Sequence, residues 1–197
     1  MRQAERSQLT RNAIVEAARQ LFADQGFGGA TMDDIARAAS VAKGAVYHHF
    51  TAKEDLFEAV FEQVSAQLVT EVVRSGAGAR DALDAMVVGT RAYFEICSGS
   101  PYRQIMLIDG PAVLGWQRWR EIDAEHFGRM IPAGLTAAIE QGLLPPQPVE
   151  PLGRLLLGAA SEAAAACASS TDPRTVGLAH AAAFQTLLDG LRVSRPI

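Results

Sequence analysis

Two short helical segments separated by only three residues set the strictest limit on how this chain folds. Thr31 is a suitable N-cap, and apolar residues follow it with helical spacing as far as Ala39. A second helical segment extends from Lys43 to Phe50. Two such segments across so short a gap indicate a helix-turn-helix motif, in which Val41 fills the corner.

Longer amphipathic helices are predicted on both sides of this motif. The preceding helix has one apolar face and stops at Gly26; the face consists of Ile14, Ala17, Ala18, Leu21 and Phe22. The following helix opens at Thr51-Ala52-Lys53-Glu54, which matches a capping box, and continues to about Arg74. The motif is therefore expected inside an all-helical module.

The remainder of the chain also shows helical spacing and no convincing strand alternation. Ser100-Pro101 and Asp172-Pro173 each combine an N-cap residue with proline at the first helical position. A loop is predicted around Gly142 and the prolines that follow it. The last two long helices are expected over about 152–168 and 172–191, so the predicted fold class is all-α.

The charge distribution supports a division into two domains. Residues 1–53 contain seven Lys/Arg and five Asp/Glu, whereas the remainder contains eleven and seventeen. We therefore predict a small N-terminal domain over 1–53, a connecting helix over 51–74 and a larger domain over 75–197. The net charge of -4 excludes a uniformly basic coat for polyanions.

The cysteines and histidines indicate neither a disulfide framework nor a metal site. Cys97 and Cys167 lie among apolar residues, without a CxxC pair, and are expected to be inert. No second ligand stands at metal-binding spacing from His48 or His49. We predict no metal and no cofactor, and a cytoplasmic protein, since neither a signal peptide nor a membrane span is visible.

The segment from Thr31 to Leu56 resembles the DNA-binding domain of the tetracycline-repressor (TetR) family. The matching features are Ile35-Ala36, Val41, Lys43-Gly44, Tyr47-His48-His49-Phe50 and Lys53-x-x-Leu56. The resemblance covers residues 9–61, about a quarter of the chain, and it is specific because several features coincide. It implies an N-terminal three-helix DNA-binding domain and a C-terminal helical domain for ligand binding and dimerisation.

The resemblance also implies which side chains contact DNA. Lys43 is expected to contact a base or a phosphate, and Tyr47, His48 and Lys53 are expected to contact the DNA, Tyr47 and Lys53 at phosphates. Thr31 would cap the first short helix. Gly44 and Ala45 would let the backbone approach the duplex, with Ala45 beside a thymine methyl. These seven residues form the predicted DNA-binding set.

Alternative interpretations remain open for three of these residues. Gly44 is also explained by tight packing against a neighbouring helix. Tyr47 and His48 are also explained as ordinary solvated residues.

Two positions depart from the family's usual Ala-Gly-Val-Ser corner. Ser40 stands where glycine is usual, and a left-handed conformation there costs about 1 kcal/mol. Ala42 removes a hydroxyl that would cap the following helix, at a cost of about 1 kcal/mol. We expect weaker capping and retained function.

Both tryptophans lie in a stretch of the C-terminal domain that is suited to an apolar cavity. The predicted ligand-binding residues are Phe94, Met106, Trp116, Trp119, Arg120, His126, Phe127 and Met130. Polar handles are available at Arg103, Arg120, Glu121 and Asp123. The alternative is that most of these side chains form an ordinary bundle core.

Taken with the family resemblance, these features predict a ligand-responsive repressor. It would bind a palindromic operator as a homodimer through its last two long helices, and an apolar or aromatic effector would release it. A regulator of the same fold without a small ligand is the first alternative. A helical enzyme that uses the C-terminal pocket is the second alternative, which is disfavoured because the chain has no GxSxG, HExxH or phosphate-cradling glycine loop.

Overall fold

The computed structural model describes residues 3–99 and 102–192, and all regular structure within them is helical. The α-helices are α1 (Gln3–Gly29), α2 (Met32–Ala38), α3 (Lys43–His49), α4 (Lys53–Ser75), α5 (Ala82–Cys97), α6 (Gly110–Phe127), α7 (Met130–Glu140), α8 (Val149–Ser169) and α9 (Pro173–Gly190). A short 3₁₀ turn covers Gly76–Gly78, and a π-helical segment covers Arg103–Asp109. The all-α prediction is confirmed.

The apolar face predicted for α1 is the face that packs inside. Ile14, Ala17, Ala18 and Phe22 are buried, and Leu21 is half-buried. Gly26 has a φ of 71° and kinks the helix, which then continues to Gly29. The predicted stop at Gly26 is therefore a kink. The Phe27 N–H just beyond it donates to the Asp109 carboxylate at 2.7 Å.

The helix-turn-helix forms as predicted, with both departures from the usual corner visible in its backbone. The Thr31 hydroxyl accepts from the Asp34 N–H at 3.1 Å and so caps α2. Ser40 adopts a left-handed conformation with φ 56°. Ala42 occupies the N-cap of α3 without any side-chain hydrogen bond. The motif therefore forms despite the left-handed backbone of Ser40 and the missing side-chain cap at Ala42.

The capping box at the start of α4 lies one residue later than predicted. Ala52, not Thr51, precedes the first helical residue, and its N–H donates to the Asp55 carboxylate at 3.0 Å. A carboxylate three residues after the N-cap reaches back in this way in a capping box. The Thr51-x-x-Glu54 prediction is wrong because α4 begins at Lys53. Ala52 therefore precedes the helix, and Asp55, not Glu54, is the carboxylate that reaches back.

The described chain forms two compact units whose boundaries differ from the predicted ones. The first contains residues 3–64 and 102–119, and the second contains 65–99 and 120–192. The segment 102–119, expected in the C-terminal domain, belongs to the first unit because Ile105, Met106 and Leu107 are buried there. The π-helical segment packs on α1.

Two contacts within the first unit hold this segment in place. The Trp119 indole N–H donates to the Met106 carbonyl at 3.2 Å, and an Arg118 N–H donates to the Glu58 carboxylate at 2.7 Å. A Cβ built on Gly110 would lie 2.7 Å from the Phe61 ring, so glycine is required for this close approach.

The second unit is a bundle in which α5 packs on α7 and α9, and α8 packs on the same two helices. Its core contains Leu83, Leu135, Leu156, Phe184 and Leu188. The predicted cap at Asp172 is confirmed, since its carboxylate accepts from the Thr175 N–H at 3.1 Å with proline at the first helical position. Ser100-Pro101 lies outside the described residues.

The remaining helix predictions for this unit differ only at their ends. The helical spacing around Met130 is interrupted, because α6 ends at Phe127 and α7 begins at Met130. The loop predicted at Gly142 is present, with φ 69° at that glycine. In the part of the chain that the structure describes, no helix is both long and apolar enough to cross a membrane.

Candidate functional site

Helix α3 turns one polar face to solvent and one apolar face to the interior. Lys43 and Tyr47 stand one helical turn apart, and their exposed fractions are 59% and 48%. Gly44 and His48 are exposed beside them. Val46 and Phe50 are buried and anchor the helix. Four of the predicted DNA-binding residues therefore share one accessible face.

The positive charge of Lys43 on this face forms a solvent-exposed ion pair with Asp33. The Lys43 ammonium lies 2.8 Å from the Asp33 carboxylate and 6.0 Å from the centroid of the Tyr47 ring. The hydrogen bond and charge of Asp33 raise the pKa of Lys43 above its usual value. Exposed pairs of this kind contribute little stability, so a phosphate can compete for the ammonium.

Open space around Gly44 decides between the two explanations for that glycine. A Cβ built there meets no atom within 4 Å. Tight packing against a neighbouring helix is therefore wrong as an explanation. The free surface fits the other explanation, in which the backbone of α3 approaches a duplex, and the half-buried Ala45 follows it.

The two histidines at the end of α3 differ in their surroundings. His48 is exposed, whereas His49 is half-buried, and burial followed by the neighbouring charges of His48 and Arg11 lowers the pKa of His49. Their rings lie 5.3 Å apart. Among the described residues no group of three or more His, Cys, Asp or Glu is placed to hold a metal ion.

Lys53 has an internal function that its sequence position did not reveal. Its ammonium donates to the carbonyls of Phe27 and Ala30 at 2.8 and 3.0 Å. Carbonyls at the C-terminal end of a helix lack intrahelical partners, and a cation there is favourable. The side chain thus joins the start of α4 to the end of α1, while the predicted phosphate contact remains a prediction.

A cavity of about 650 Å³ lies inside the second unit. Its walls come from six helices, α4 to α9, and are mostly apolar; they include Val72, Met86, Phe127, Met130, Ile131, Leu157 and Phe184. The exposed wall residues Val73, Ala77, Arg80 and Gln141 place its mouth near the start of α5. The size and lining are typical of a small-molecule site.

Two of the eight predicted ligand-binding residues, Phe127 and Met130, line this cavity. Phe94 packs in the core, 2.9 Å from a Cβ built on Gly177. Met106, Trp116 and Trp119 belong to the first unit, where the exposed Trp116 ring stacks on that of Trp119 at 4.9 Å. Arg120 and His126 lie outside the lining as well.

The misplacement has a simple physical reason. The predicted ligand-binding set consists mostly of aromatic residues that are close along the chain. Helical geometry directs adjacent side chains to different faces, so closeness along the chain does not bring them into one cavity. Tyr93 lines the cavity, and its neighbour Phe94 faces the core. Spacing within α5 did not show which of the two faces would be covered.

Asp123, one of the four predicted polar handles, is the charged residue of the cavity lining that is buried. Its Oδ2 accepts a hydrogen bond from the Ser161 hydroxyl at 3.1 Å, and both residues are buried. Burial raises the pKa of the Asp123 carboxyl to about 6, although the Ser161 hydrogen bond and the charge of Arg120 lower it. Sequence reasoning does not identify Ser161, because it lies in an alanine-rich run and no motif marks it.

Burial disfavours the thiolate form of both cysteines of the second unit. Burial raises the pKa of the Cys97 thiol well above its usual range and also raises that of Cys167. Since only the thiolate is a good nucleophile, these residues behave as small apolar groups.

Family models match both parts of this arrangement. The model described as "Bacterial regulatory proteins, tetR family" matches residues 14–60, which include the helix-turn-helix. The model described as "Tetracyclin repressor-like, C-terminal domain" matches residues 83–191, more than half of the chain. This protein belongs to the TetR family.

Individual relatives agree with the TetR assignment. The HTH-type transcriptional regulator SrpR of Pseudomonas putida is 31% identical over 137 residues, which are 69% of this chain and 64% of SrpR. The match thus spans less than two thirds of that relative. The crystal structure of a TetR-family transcriptional regulator from Pectobacterium atrosepticum is 29% identical, covers both chains fully and has a TM-score of 0.87.

A third TetR-family comparison includes a bound ligand. FadR of Thermus thermophilus, a transcriptional repressor crystallised with lauroyl-CoA, is 26% identical. The match covers 95% of this chain and 97% of FadR, with a TM-score of 0.71.

Proposed function

We propose that this TetR-family chain is a homodimeric, DNA-binding repressor that releases its operator when a small molecule occupies the cavity of the second unit. The observation that carries the DNA-binding part is the exposed face of α3, where Lys43 and Tyr47 stand one turn apart within the matched segment. Relatives that are named as regulators and repressors support it. This function requires no catalytic group.

The residues on and beside α3 suit a helix inserted in the major groove. Lys43 and Tyr47 supply a cation and a hydroxyl for phosphates or base edges, and His48 lies next to Tyr47. Gly44 and Ala45 leave the backbone free to approach the bases. Thr31 and Lys53 complete the proposed set, with Lys53 also holding the preceding segment through Phe27 and Ala30.

Dimerisation through α8 and α9 is supported by apolar side chains that the single chain leaves uncovered. Leu155 on α8 is 72% exposed and Leu187 on α9 is 54% exposed. One helix-turn-helix covers only a half-site, and a palindromic operator needs two related by a two-fold axis. A second copy of this chain is therefore the occupant we propose for this surface.

The effector response is assigned to the cavity because two helices continue from one compact unit into the other. α4 and α6 each have residues in both units, and the second part of α6 supplies Asp123 and Phe127 to the cavity wall. A ligand that binds better when the two recognition helices are wrongly spaced must weaken operator binding by linkage. The lauroyl-CoA bound to FadR of Thermus thermophilus supports a small-molecule ligand for this fold.

Selection of fragments from a random DNA pool by the purified full chain tests the DNA-binding proposal. We expect enrichment of an inverted repeat with half-sites about one helical turn, about 34–36 Å, apart. No enrichment at low ionic strength would refute the proposal, because nonspecific phosphate attraction is strongest there.

Sedimentation of the protein tests the dimer separately. Leu155→Arg and Leu187→Arg should each shift the protein toward monomer, since a buried unpaired charge opposes association. Leu9→Arg replaces an exposed leucine of α1 and is the control, expected to leave the dimer intact. A wild-type protein that sediments as a monomer at micromolar concentration would contradict this arrangement.

A further inference from the structure

Asp123 is a buried carboxylate with an unused acceptor in a cavity that is otherwise mostly apolar. It lines the cavity together with Phe127 and Leu157. Among the described residues its Oδ2 receives the Ser161 hydroxyl, and no donor reaches its Oδ1. A carboxylate oxygen can accept more than one hydrogen bond, so Asp123 can receive a further donor from a molecule in the cavity.

We propose that the effector is a lipophilic amine whose protonated nitrogen binds the Asp123 carboxylate while its apolar body fills the cavity. This inference rests on the proposed effector role of the cavity and specifies the chemistry of its ligand. An ammonium group supplies both the missing donor and the missing positive charge, and charge-assisted hydrogen bonds of this kind are the stronger ones.

The Ser161 hydroxyl supplies at most one hydrogen bond to the Asp123 carboxylate. The Ser161 oxygen lies within hydrogen-bond distance of both Asp123 Oδ2 at 3.1 Å and the Leu157 carbonyl at 3.0 Å. A hydroxyl has one hydrogen, so it cannot serve both acceptors at once. If Asp123 is protonated it donates to Ser161, which then donates to Leu157. If Asp123 is ionised, the hydroxyl can donate to it, because the Leu157 carbonyl still accepts a backbone N–H within α8; the carboxylate then has one protein donor, at Oδ2.

The groups around Asp123 do not supply the missing charge internally. Tyr93 and Cys97 on α5 and Cys167 on α8 are neutral, because burial raises the pKa of each. Arg120, one turn earlier on α6, lowers the pKa of Asp123 through its charge, but it is exposed and does not line the cavity. The α7 and α9 residues in the lining are all uncharged, and they are Met130, Ile131, Gly134, Ala137 and Phe184.

The other charged wall residues stand at the mouth and are already paired. An Arg80 N–H donates to the Asp84 carboxylate at 3.0 Å, and the Asp81 carboxylate accepts from the Asp84 N–H at 2.8 Å as the N-cap of α5. Asp81 is therefore a carboxylate of the same cavity with a local structural function. It provides a matched control for Asp123.

The affinity for an amine should depend on pH in a defined direction. Burial holds the pKa of Asp123 at about 6, so the carboxyl is mostly neutral below that pH and must lose its proton to pair with a cation. An alkylamine remains protonated throughout, since its pKa is about 10. Amine binding should strengthen about tenfold as the pH rises from about 5 to about 7.5, while binding of a neutral ligand stays flat.

Three probes that differ only in their head group test the proposal: decylamine, decan-1-ol and decanoate. Calorimetric titration of the full-length protein at about pH 7.5 should show decylamine binding at least about tenfold more tightly than decan-1-ol, with decanoate the weakest. Equal or weaker binding of decylamine, or no binding of it, would overturn the proposal. The pH dependence of decylamine binding by wild-type protein provides a test that needs no variant.

Two substitutions identify the carboxylate that is responsible. D123N should abolish the preference for decylamine and leave decan-1-ol binding in place, which shows that the cavity remains intact. D81N keeps an N-cap side chain, removes the charge at the mouth, and should retain the preference. Loss of the preference in D81N and not in D123N would assign the amine to the mouth and refute a role for Asp123.

The outcomes also separate this inference from the proposed function. Tight binding of decan-1-ol or decanoate, with release of the selected operator, would support a ligand-responsive repressor and reject an amine as effector. Decylamine binding without any effect on operator retention would support the amine site and reject the proposed coupling. A protein that selects no duplex would fail the proposed function irrespective of the titrations.

Discussion

The Lys53 ammonium contacts both the backbone carbonyl and the aromatic ring of Phe27. The Lys53 ammonium donates a 2.8 Å hydrogen bond to the Phe27 carbonyl and lies 4.2 Å from the centroid of the Phe27 ring. It also donates to the Ala30 carbonyl at 3.0 Å. A residue predicted for DNA contact is thus also a structural connection between α1 and α4 in the first unit.

Replacement of Lys53 by methionine should destabilise the fold. Methionine keeps most of the aliphatic stem but leaves the two carbonyls without a charged donor, which should lower the free energy of unfolding by about 1–3 kcal/mol. Urea denaturation followed by circular dichroism measures the change. Lys43→Met is the control, because that ammonium pairs only at the surface; equal stabilities of the two variants would show that the Lys53 bonds contribute nothing.

Lys43→Ala should weaken operator binding and reduce its salt dependence. If the ammonium contacts a phosphate, the slope of log affinity against log salt should fall by about one. Asp33→Asn is the matched control, because it frees the Lys43 ammonium from its 2.8 Å pair and should bind at least as tightly as the wild type. Titration of the selected operator at several salt concentrations measures the slope. A slope equal to that of the wild type would show that Lys43 does not contact a phosphate.

Gly44→Ala should separate stability from DNA binding. The added methyl meets open space in the free protein and improves helix propensity, so stability should rise by up to about 1 kcal/mol. If the backbone of α3 approaches the bases closely, the same methyl should weaken operator binding. Parallel denaturation and operator titration measure both, and unchanged operator affinity would show that the duplex does not come close to this residue.

Tyr47→Phe should affect operator binding alone. The side chain is 48% exposed, and its hydroxyl makes no hydrogen bond to another described residue. Removal of the hydroxyl should therefore leave the free energy of unfolding unchanged and cost about 1 kcal/mol in operator affinity through one lost hydrogen bond. Operator affinity equal to that of the wild type would assign Tyr47 to the solvated surface.

Asp123→Asn should stabilise the protein in a pH-dependent manner. The pKa of the folded state, about 6, lies above the ordinary value of 3.8, so the folded protein holds this proton more tightly. That contribution is complete below the ordinary pKa and is lost as the pH rises through about 6. A shift of about two units corresponds to about 3 kcal/mol, and the variant should gain roughly this much over the wild type between about pH 4 and about pH 8.

Denaturation at several pH values provides the measurement for Asp123. The exposed Asp24→Asn is the control for loss of one negative charge, and its difference from the wild type should change little with pH. A constant difference between Asp123→Asn and the wild type would show that the carboxyl is not destabilised by burial.

The parts of the structure that obey local rules could be predicted from the sequence. Thr31 and Asp172 cap their helices because a short polar side chain before a helix can satisfy its free N–H groups without distant partners. The exposed and buried faces of α3 follow from helical periodicity. The predicted Thr51 cap is wrong because α4 begins one residue later, with Ala52 before the helix and Asp55 accepting its N–H.

The cavity could be predicted only in part, since its walls depend on which helix faces meet. Phe127 and Met130 belong to the aromatic-rich stretch that the sequence predicts as a cavity, and both line it. Trp116 and Trp119 were assigned to it from their proximity in the chain, but burial of Ile105 and Met106 places their segment in the first unit. The residues near Trp116 and Trp119 in the sequence do not show whether this segment packs in the first unit or lines the cavity.

The amino-acid sequence by itself determined the helices, their caps and the polar face that α3 presents, because each of these depends on residues within a few positions of one another. Only the tertiary structure decided that residues 102–119 pack with the first unit and that Asp123 is enclosed beside Ser161. Those outcomes depend on contacts between residues far apart in the chain. Burial by such contacts raises the free energy of an ionised carboxylate, which water would otherwise solvate.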